Sequence, residues 1–244
     1  KPTLAVRARL DEAAAEITSK IRAASQARVA RRTVAPPPVV AVPRTAPLRA
    51  ARTSELLIAI GASTGGTEAI REVLTVLPPD VPGIVITQHM PAGFTAGFAA
   101  RLDSLCRIRV KEAVDGERVL QGNAYIAPGG HHMWVERMGT AWVARVADGD
   151  PVNRHKPSVE VLFQSVARHA GKRAIGIMLT GMGGDGARAM REMRDAGAWN
   201  LVQDEASCVV FGMPREAITA GAADEVLPLA SIASHLLARL GVKA

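Results

Sequence analysis

From Arg52 onward, apolar and polar positions follow two alternating periods. Short runs of mostly consecutive apolar residues occur at Leu56–Ile60, Gly83–Thr87, Ala124–Ile126, Ala174–Leu179, Asn200–Gln203 and Glu225–Leu227. Their length and glycine-bounded ends predict buried strands. Between them lie Thr67–Leu77, Thr95–Leu102, Ser158–Ala170, Gly186–Ala196, Pro214–Thr219 and Leu229–Leu240, where the period lengthens. Ile70, Val73, Leu74 and Leu77, for example, recur at the spacing of one helix face. Pro157-Ser158 ahead of Val159 marks a helix start, and Pro214 fits a first turn. Strands alternating with helices predict an α/β domain: three layers, α/β/α, around a mostly parallel doubly wound sheet. One β-hairpin insertion interrupts it, Met133–Glu136 and Ala141–Val146 around Gly139.

The first fifty residues follow neither pattern. Residues 4–32 carry an apolar stripe of Leu4, Ala5, Leu10, Ala13, Ala14, Ile17 and Ile21, which predicts a helix that dissolves into Ala, Arg and Gln beyond Arg22. Val34 to Ala50 contains Pro36, Pro37, Pro38, Pro43 and Pro47, the composition of an extended linker. The expected division is therefore residues 1–53 as helix plus Pro/Arg-rich linker and residues 54–244 as the globular domain.

Charge follows the same division. The net charge is +7. Residues 1–54 hold 11 Lys and Arg against 3 Asp and Glu, whereas the remainder holds 19 against 20. The domain is near neutral, which argues against nucleic-acid binding by it. The basic segment reads as a solvated linker or as a docking segment for an acidic partner. No apolar run approaches the roughly 20 residues of a membrane span, and no secretory signal pattern is present. Cys106 and Cys208 lack metal or redox spacing and read as buried, reduced thiols of a cytoplasmic protein. His131, His132, His155, His169 and His235 show no ligand spacing backed by a carboxylate or thiol, so no metal is expected.

In an open parallel sheet, ligands bind beyond the carboxyl ends of the strands. After Leu56–Ile60 comes Gly61-Ala62-Ser63-Thr64-Gly65-Gly66. After Gly83–Thr87 comes Gln88-His89-Met90-Pro91. After the strand ending at Leu179 comes Thr180-Gly181-Met182-Gly183-Gly184-Asp185-Gly186. A hydroxyl, an imidazole and a carboxylate thus leave one sheet edge, and together they are the parts of a nucleophilic triad. Each also has a plainer reading. Ser63 could cap a helix or contact a phosphate at the helix start, and Asp185 could cap the helix that follows it. A phosphate- or nucleotide-binding module using Gly61 to Gly66 is the rival, although the turn lacks the Lys-Ser/Thr of a P-loop. Gly61-Ala62-Ser63-Thr64-Gly65 also matches the nucleophile elbow of α/β-hydrolases, but that fold puts its elbow after several strands.

These segments resemble the chemotaxis protein-glutamate methylesterases of the CheB family. So do Ala127-Pro128-Gly129-Gly130-His131-His132-Met133 and the stretch from Gln203 to Pro214. The similarity runs from about residue 55 to 240. It implies Ser63 as nucleophile, His89 as general base and acid, and Asp185 as the residue orienting the histidine. It implies hydrolysis of glutamate γ-methyl esters on the cytoplasmic helices of methyl-accepting chemoreceptors, with methanol released, and also deamidation of receptor glutamines. No cofactor, metal, nucleic acid or membrane insertion is implied. From their position beside glycine-rich turns, the backbone N–H groups of Thr64 and Met182 are the candidate oxyanion hole. The resemblance further implies an N-terminal phospho-receiver domain and, through it, a histidine kinase. Lys1-Pro2 resembles the end of a receiver's last strand, and residues 4–22 its last helix, so the receiver itself is expected to be missing from this chain. On that expectation the chain would act without phosphorylation.

Overall fold

In the computed structural model, residues 55–242 are described, and the expected helix, linker and receiver remnant of residues 1–53 lie outside them. Seven parallel strands form the main sheet: β1 Leu57–Ala62, β2 Gly83–Gln88, β3 Arg109–Glu112, β5 Asn123–Ile126, β8 Ala174–Met178, β9 Trp199–Gln203 and β10 Glu225–Leu227. Their spatial order is β10-β9-β8-β1-β2-β5-β3. β1 is central, and all six of its residues are buried.

Strand alternation decides which helix covers which face. Ile58, Ile60 and Ala62 point into one core, shared with α1 Gly66–Thr75, α2 Thr95–Leu105 and α6 Leu229–Leu240. Leu57 and Ala59 point into the other, shared with α3 Val159–His169, α4 Ala187–Asp195 and α5 Met213–Thr219. The expected three layers and double winding are present.

The boundaries differ where local chemistry intervenes. α1 stops at Thr75 rather than Leu77, because Pro78 and Pro79 exclude helical backbone ahead of them; Leu77 is still fully buried. The expected hairpin forms as β6 His132–Met138 and β7 Ala141–Ala147. It is extended by β4 Glu117–Val119 into an antiparallel three-stranded sheet, order β4-β7-β6. Met133, Val135, Trp142 and Ala144 join it to the second core.

β3 and β4 lie outside the strands that the apolar runs predict. Arg109-Val110-Lys111-Glu112 and Glu117-Arg118-Val119 each offer one apolar residue among charges. That is the composition of edge strands, which charges protect from pairing with other chains. No helix among the described residues is long and apolar enough to cross a membrane.

Candidate functional site

β8, β1 and β2 are neighbours at the centre of the sheet, so the loops that follow them share one edge. Ala62 pairs with Gln88 at the end of the β1–β2 ladder. Ser63 and His89 are the next couple, and neighbouring strands lie about 4.8 Å apart. The His89 N–H donates to the Ala62 carbonyl at 3.0 Å, and the Ser63 N–H donates to the Thr180 carbonyl at 3.0 Å. All three loops are therefore pinned together by backbone bonds. Gln88 tightens the turn further, its Nε2 donating to the carbonyls of Ser63 at 2.9 Å and His89 at 3.1 Å. Thr180 Oγ1 donates to the Thr64 carbonyl at 3.0 Å.

This close approach requires Gly181. A Cβ there would lie 2.8 Å from Ser63 Cβ and would also overlap Met213 Sδ. The helix-cap reading of Ser63 fails: Gly65 is the N-cap of α1, and no side chain bonds there. Within the described residues, Ser63 Oγ engages no hydrogen bond, and neither do the N–H groups of Thr64 and Met182.

Asp185 does not cap the helix that follows it either. The N-cap of α4 is Gly186, again without a side-chain bond. The carboxylate instead turns to the start of α3. Oδ2 accepts the Val159 N–H at 2.7 Å, and Oδ1 accepts the Ser158 hydroxyl at 2.8 Å and the Asn153 amide at 2.8 Å. Ser158 is the N-cap of α3, and its hydroxyl also accepts the Glu160 N–H. The positive end of α3 thus faces the carboxylate. Gly186, at φ 87°, makes this possible: a side chain there would overlap Val159.

His89 Nε2 lies 2.8 Å from Asp185 Oδ2, with both side chains almost wholly buried. The Nδ1 on the other side of the ring is buried without a partner. His155 stacks on the ring, centroids 3.7 Å apart and planes 9° apart. Burial works against the charge of Asp185, but the bonds from His89, Asn153, Ser158 and Val159 outweigh it. The carboxyl titrates below its ordinary range. Burial, the neighbouring His89 and Arg154 lower His155, with Asp185 opposing, so His155 is neutral at neutral pH.

The thiols differ from expectation in being half-buried, and both are free. Burial pushes Cys208 up to about 11 and also raises Cys106, so neither supplies a thiolate nucleophile. No cluster of three or more His, Cys, Asp or Glu among the described residues is arranged to hold a metal.

The structure therefore brings His89 and Asp185 into contact and sets Ser63 beside them at the strand ends. Asn153, Ser158 and His155 join the site without a sequence signal for it, and Gln88 joins it from the segment that also carries His89. Ser158 reads in the sequence only as a helix start, and nothing local to it shows that the same hydroxyl reaches Asp185, 27 residues away.

Comparison with known proteins follows the same outline. The family model for CheB methylesterase matches residues 58–236. A protein-glutamate methylesterase/protein-glutamine glutaminase from Albidiferax ferrireducens is 61% identical over 98% of this chain and 66% of its own length. One of the same name from Nitrosomonas europaea is 57% identical over 98% of this chain and 68% of its own length. The chain thus spans about two thirds of these relatives. The crystal structure of the Thermotoga maritima CheB methylesterase catalytic domain is similar at a TM-score of 0.73 and 37% identity. That match covers 75% of this chain and 97% of the other.

Proposed function

This chain belongs to the CheB methylesterase family, and on that premise we propose that it hydrolyses glutamate γ-methyl esters on chemoreceptors with Ser63, His89 and Asp185. The observation that carries the reading is the His89–Asp185 pair at 2.8 Å, with the far ring nitrogen unpartnered and the Ser63 turn alongside.

The mechanism follows from which nitrogen is committed. Nε2 holds the proton that it donates to Asp185, so Nδ1 carries the free lone pair and is the base. Ser63 Oγ attacks the ester carbonyl carbon as its proton passes to Nδ1. The carbonyl oxygen becomes an oxyanion, received by the free N–H groups of Thr64 and Met182. In other enzymes one such donor contributes roughly 10²–10³ in rate. As the tetrahedral adduct collapses, the C–O bond to the methoxy group breaks and Nδ1–H protonates the leaving oxygen, releasing methanol. Water repeats the cycle on the acyl-Ser63 ester and leaves a glutamate carboxylate. A receptor glutamine takes the same path with ammonia as leaving group. Asp185, kept ionised by its donors, stabilises the imidazolium formed at each half-reaction.

The surroundings fit a macromolecular substrate. Met182, Val209 and Phe94, on the loops around Ser63, are 71%, 69% and 65% exposed. Exposed apolar side chains at the mouth of a site are a contact surface for a partner. The finer partners, a phospho-receiver module and a histidine kinase acting through it, belong to the same proposal. So does a cytoplasmic location.

The phosphate-binding alternative has less support, because Gln88, His89 and Thr180 bond to residues 62–64 and no Lys or Arg among the described residues bonds to the turn. A serine-directed fluorophosphonate decides between the two. One adduct is expected, mapping to Ser63 by peptide mass spectrometry and forming far more slowly in His89→Ala. Methanol release that continues in folded protein whose Ser63 stays unlabelled would defeat the assignment, and nucleotide-dependent thermal stabilisation would favour the alternative.

A further inference from the structure

Residues 152–155 form a tight turn. Val152 and His155 exchange backbone hydrogen bonds in both directions, at 3.1 and 2.9 Å. The two residues between them, Asn153 and Arg154, both have positive φ, 51° and 68°. Asparagine visits that region readily, whereas arginine does so only when its surroundings hold it there.

This turn touches both members of the buried pair. Asn153 Nδ2 donates to Asp185 Oδ1 at 2.8 Å, and two residues later the His155 ring lies flat on His89. Asn153 itself is an exposed residue, so the core does not require it. Its amide is constrained by what it meets: of the two ends of an amide, only the NH₂ group can face a carboxylate.

We infer that Asn153 is a positioning residue of the ester-hydrolysing site. Its amide, beside the Ser158 hydroxyl, engages Oδ1 of the Asp185 carboxylate and helps to hold Oδ2, which also accepts the Val159 N–H, toward His89. Its left-handed backbone starts the turn that sets His155 against the His89 ring. The inference rests on the esterase reading of the site. Without the amide, Oδ1 keeps the Ser158 hydroxyl and a long contact of 3.4 Å to the Glu160 N–H, and Oδ2 keeps the Val159 N–H, so the carboxylate is held from the α3 side alone and its tilt toward His89 is less restrained.

Two variants separate the amide from the backbone. Asn153→Gly keeps the left-handed conformation and loses the donor. Asn153→Asp keeps the shape but opposes one carboxylate to another. The charged and titratable groups facing that position are Asp185 and His89 from the loops after β8 and β2, and Arg154 and His155 from the turn itself. Glu160 on α3 is paired with Arg188 on α4.

In methanol release from methylated chemoreceptor membranes, Asn153→Gly should lose about tenfold in kcat, the scale of one hydrogen bond to a charge, with KM unchanged. Asn153→Asp should be slower still at alkaline pH. It should recover as pH falls and a proton shared with Asp185 lets the introduced carboxyl group donate again, which moves its pH profile toward acid. Proton NMR of the His89 Nε2–H gives a readout independent of turnover, and the signal should shift or broaden in both variants. Wild-type kcat in Asn153→Gly with an unmoved ring signal would overturn the inference, as would a pH profile of Asn153→Asp parallel to that of the wild type. Ser63→Ala is the separate control: if it retains activity, the esterase reading fails, while the ring signal still decides the positioning role.

Discussion

Burial disfavours the charge on Asp185, yet donors from His89, Asn153, Ser158 and Val159 hold its carboxyl below the ordinary value of 3.8. A carboxylate depressed on folding contributes stability that is complete above its unfolded value and is lost as pH falls through the lower folded one. The difference in unfolding free energy between wild type and Asp185→Asn should therefore be constant at neutral pH and shrink only as pH falls through 3.8 and below. Urea midpoints across pH measure it, and a difference that already shrinks near neutral pH would contradict the described bonds. Catalysis should suffer at every pH. The amide of Asp185→Asn offers one acceptor oxygen where the carboxylate offers two, so Nε2–H and the donors on the other oxygen cannot all be met, and the matching change in another triad cost roughly 10⁴ in kcat. Ser63 and His89 are legible as residues because each directly follows a strand, and Asp185 because it lies in the glycine-rich loop after β8. The plainer readings of Ser63 and Asp185 as caps for their own helices are equally legible, and only the geometry removes them. No spacing rule shows that Asp185 bonds to the start of α3, because that contact depends on how two helices on one sheet face approach each other.

At the scale of elements, α3 is the platform of the site. Its first N–H groups and its cap residue hold Asp185, and Phe163, further along the same helix, is fully buried. Phe163→Ala should cost about 3–5 kcal/mol of stability, read as a lowered urea midpoint. An effect below the ~1 kcal/mol of an ordinary substitution would mean that the second core packs differently. Gly181→Ala tests the turn instead. The added methyl meets Ser63 Cβ at 2.8 Å, so kcat should fall well before stability does; a fully active variant would contradict the close packing of the β1 and β8 loops. Of the elements, the buried strands and the amphipathic helices are legible, because their periods mark burial directly. β3 and β4 are not, since an edge strand shows charges where a central strand shows Val or Ile. The hairpin is legible as two strands, but its third strand and its role in covering the second core are not.

Across the whole domain, the large exposed apolar side chains near the site stand apart from the buried cores. Phe94, Met182 and Val209 gain nothing from solvent, and they surround a site whose proposed substrate is a side chain on another protein. Val209→Ser should raise KM for methylated receptor about tenfold, the scale of losing one buried valine contact, and leave hydrolysis of a small activated ester unchanged. Equal loss toward both substrates would assign Val209 to the chemistry rather than to docking. The charge division, basic in residues 1–54 and near neutral beyond, is read from composition alone. Composition does not say what the basic segment meets.

The most direct test of the central claim is methanol release from methylated chemoreceptor membranes by this chain, compared with Ser63→Ala and His89→Ala, with folding checked by circular dichroism. Loss of release in both variants, with the fold intact, is the expected result for a serine esterase whose base is His89. Undiminished release by folded Ser63→Ala would contradict it, and would return the glycine turn at the end of β1 to the role of a binding site.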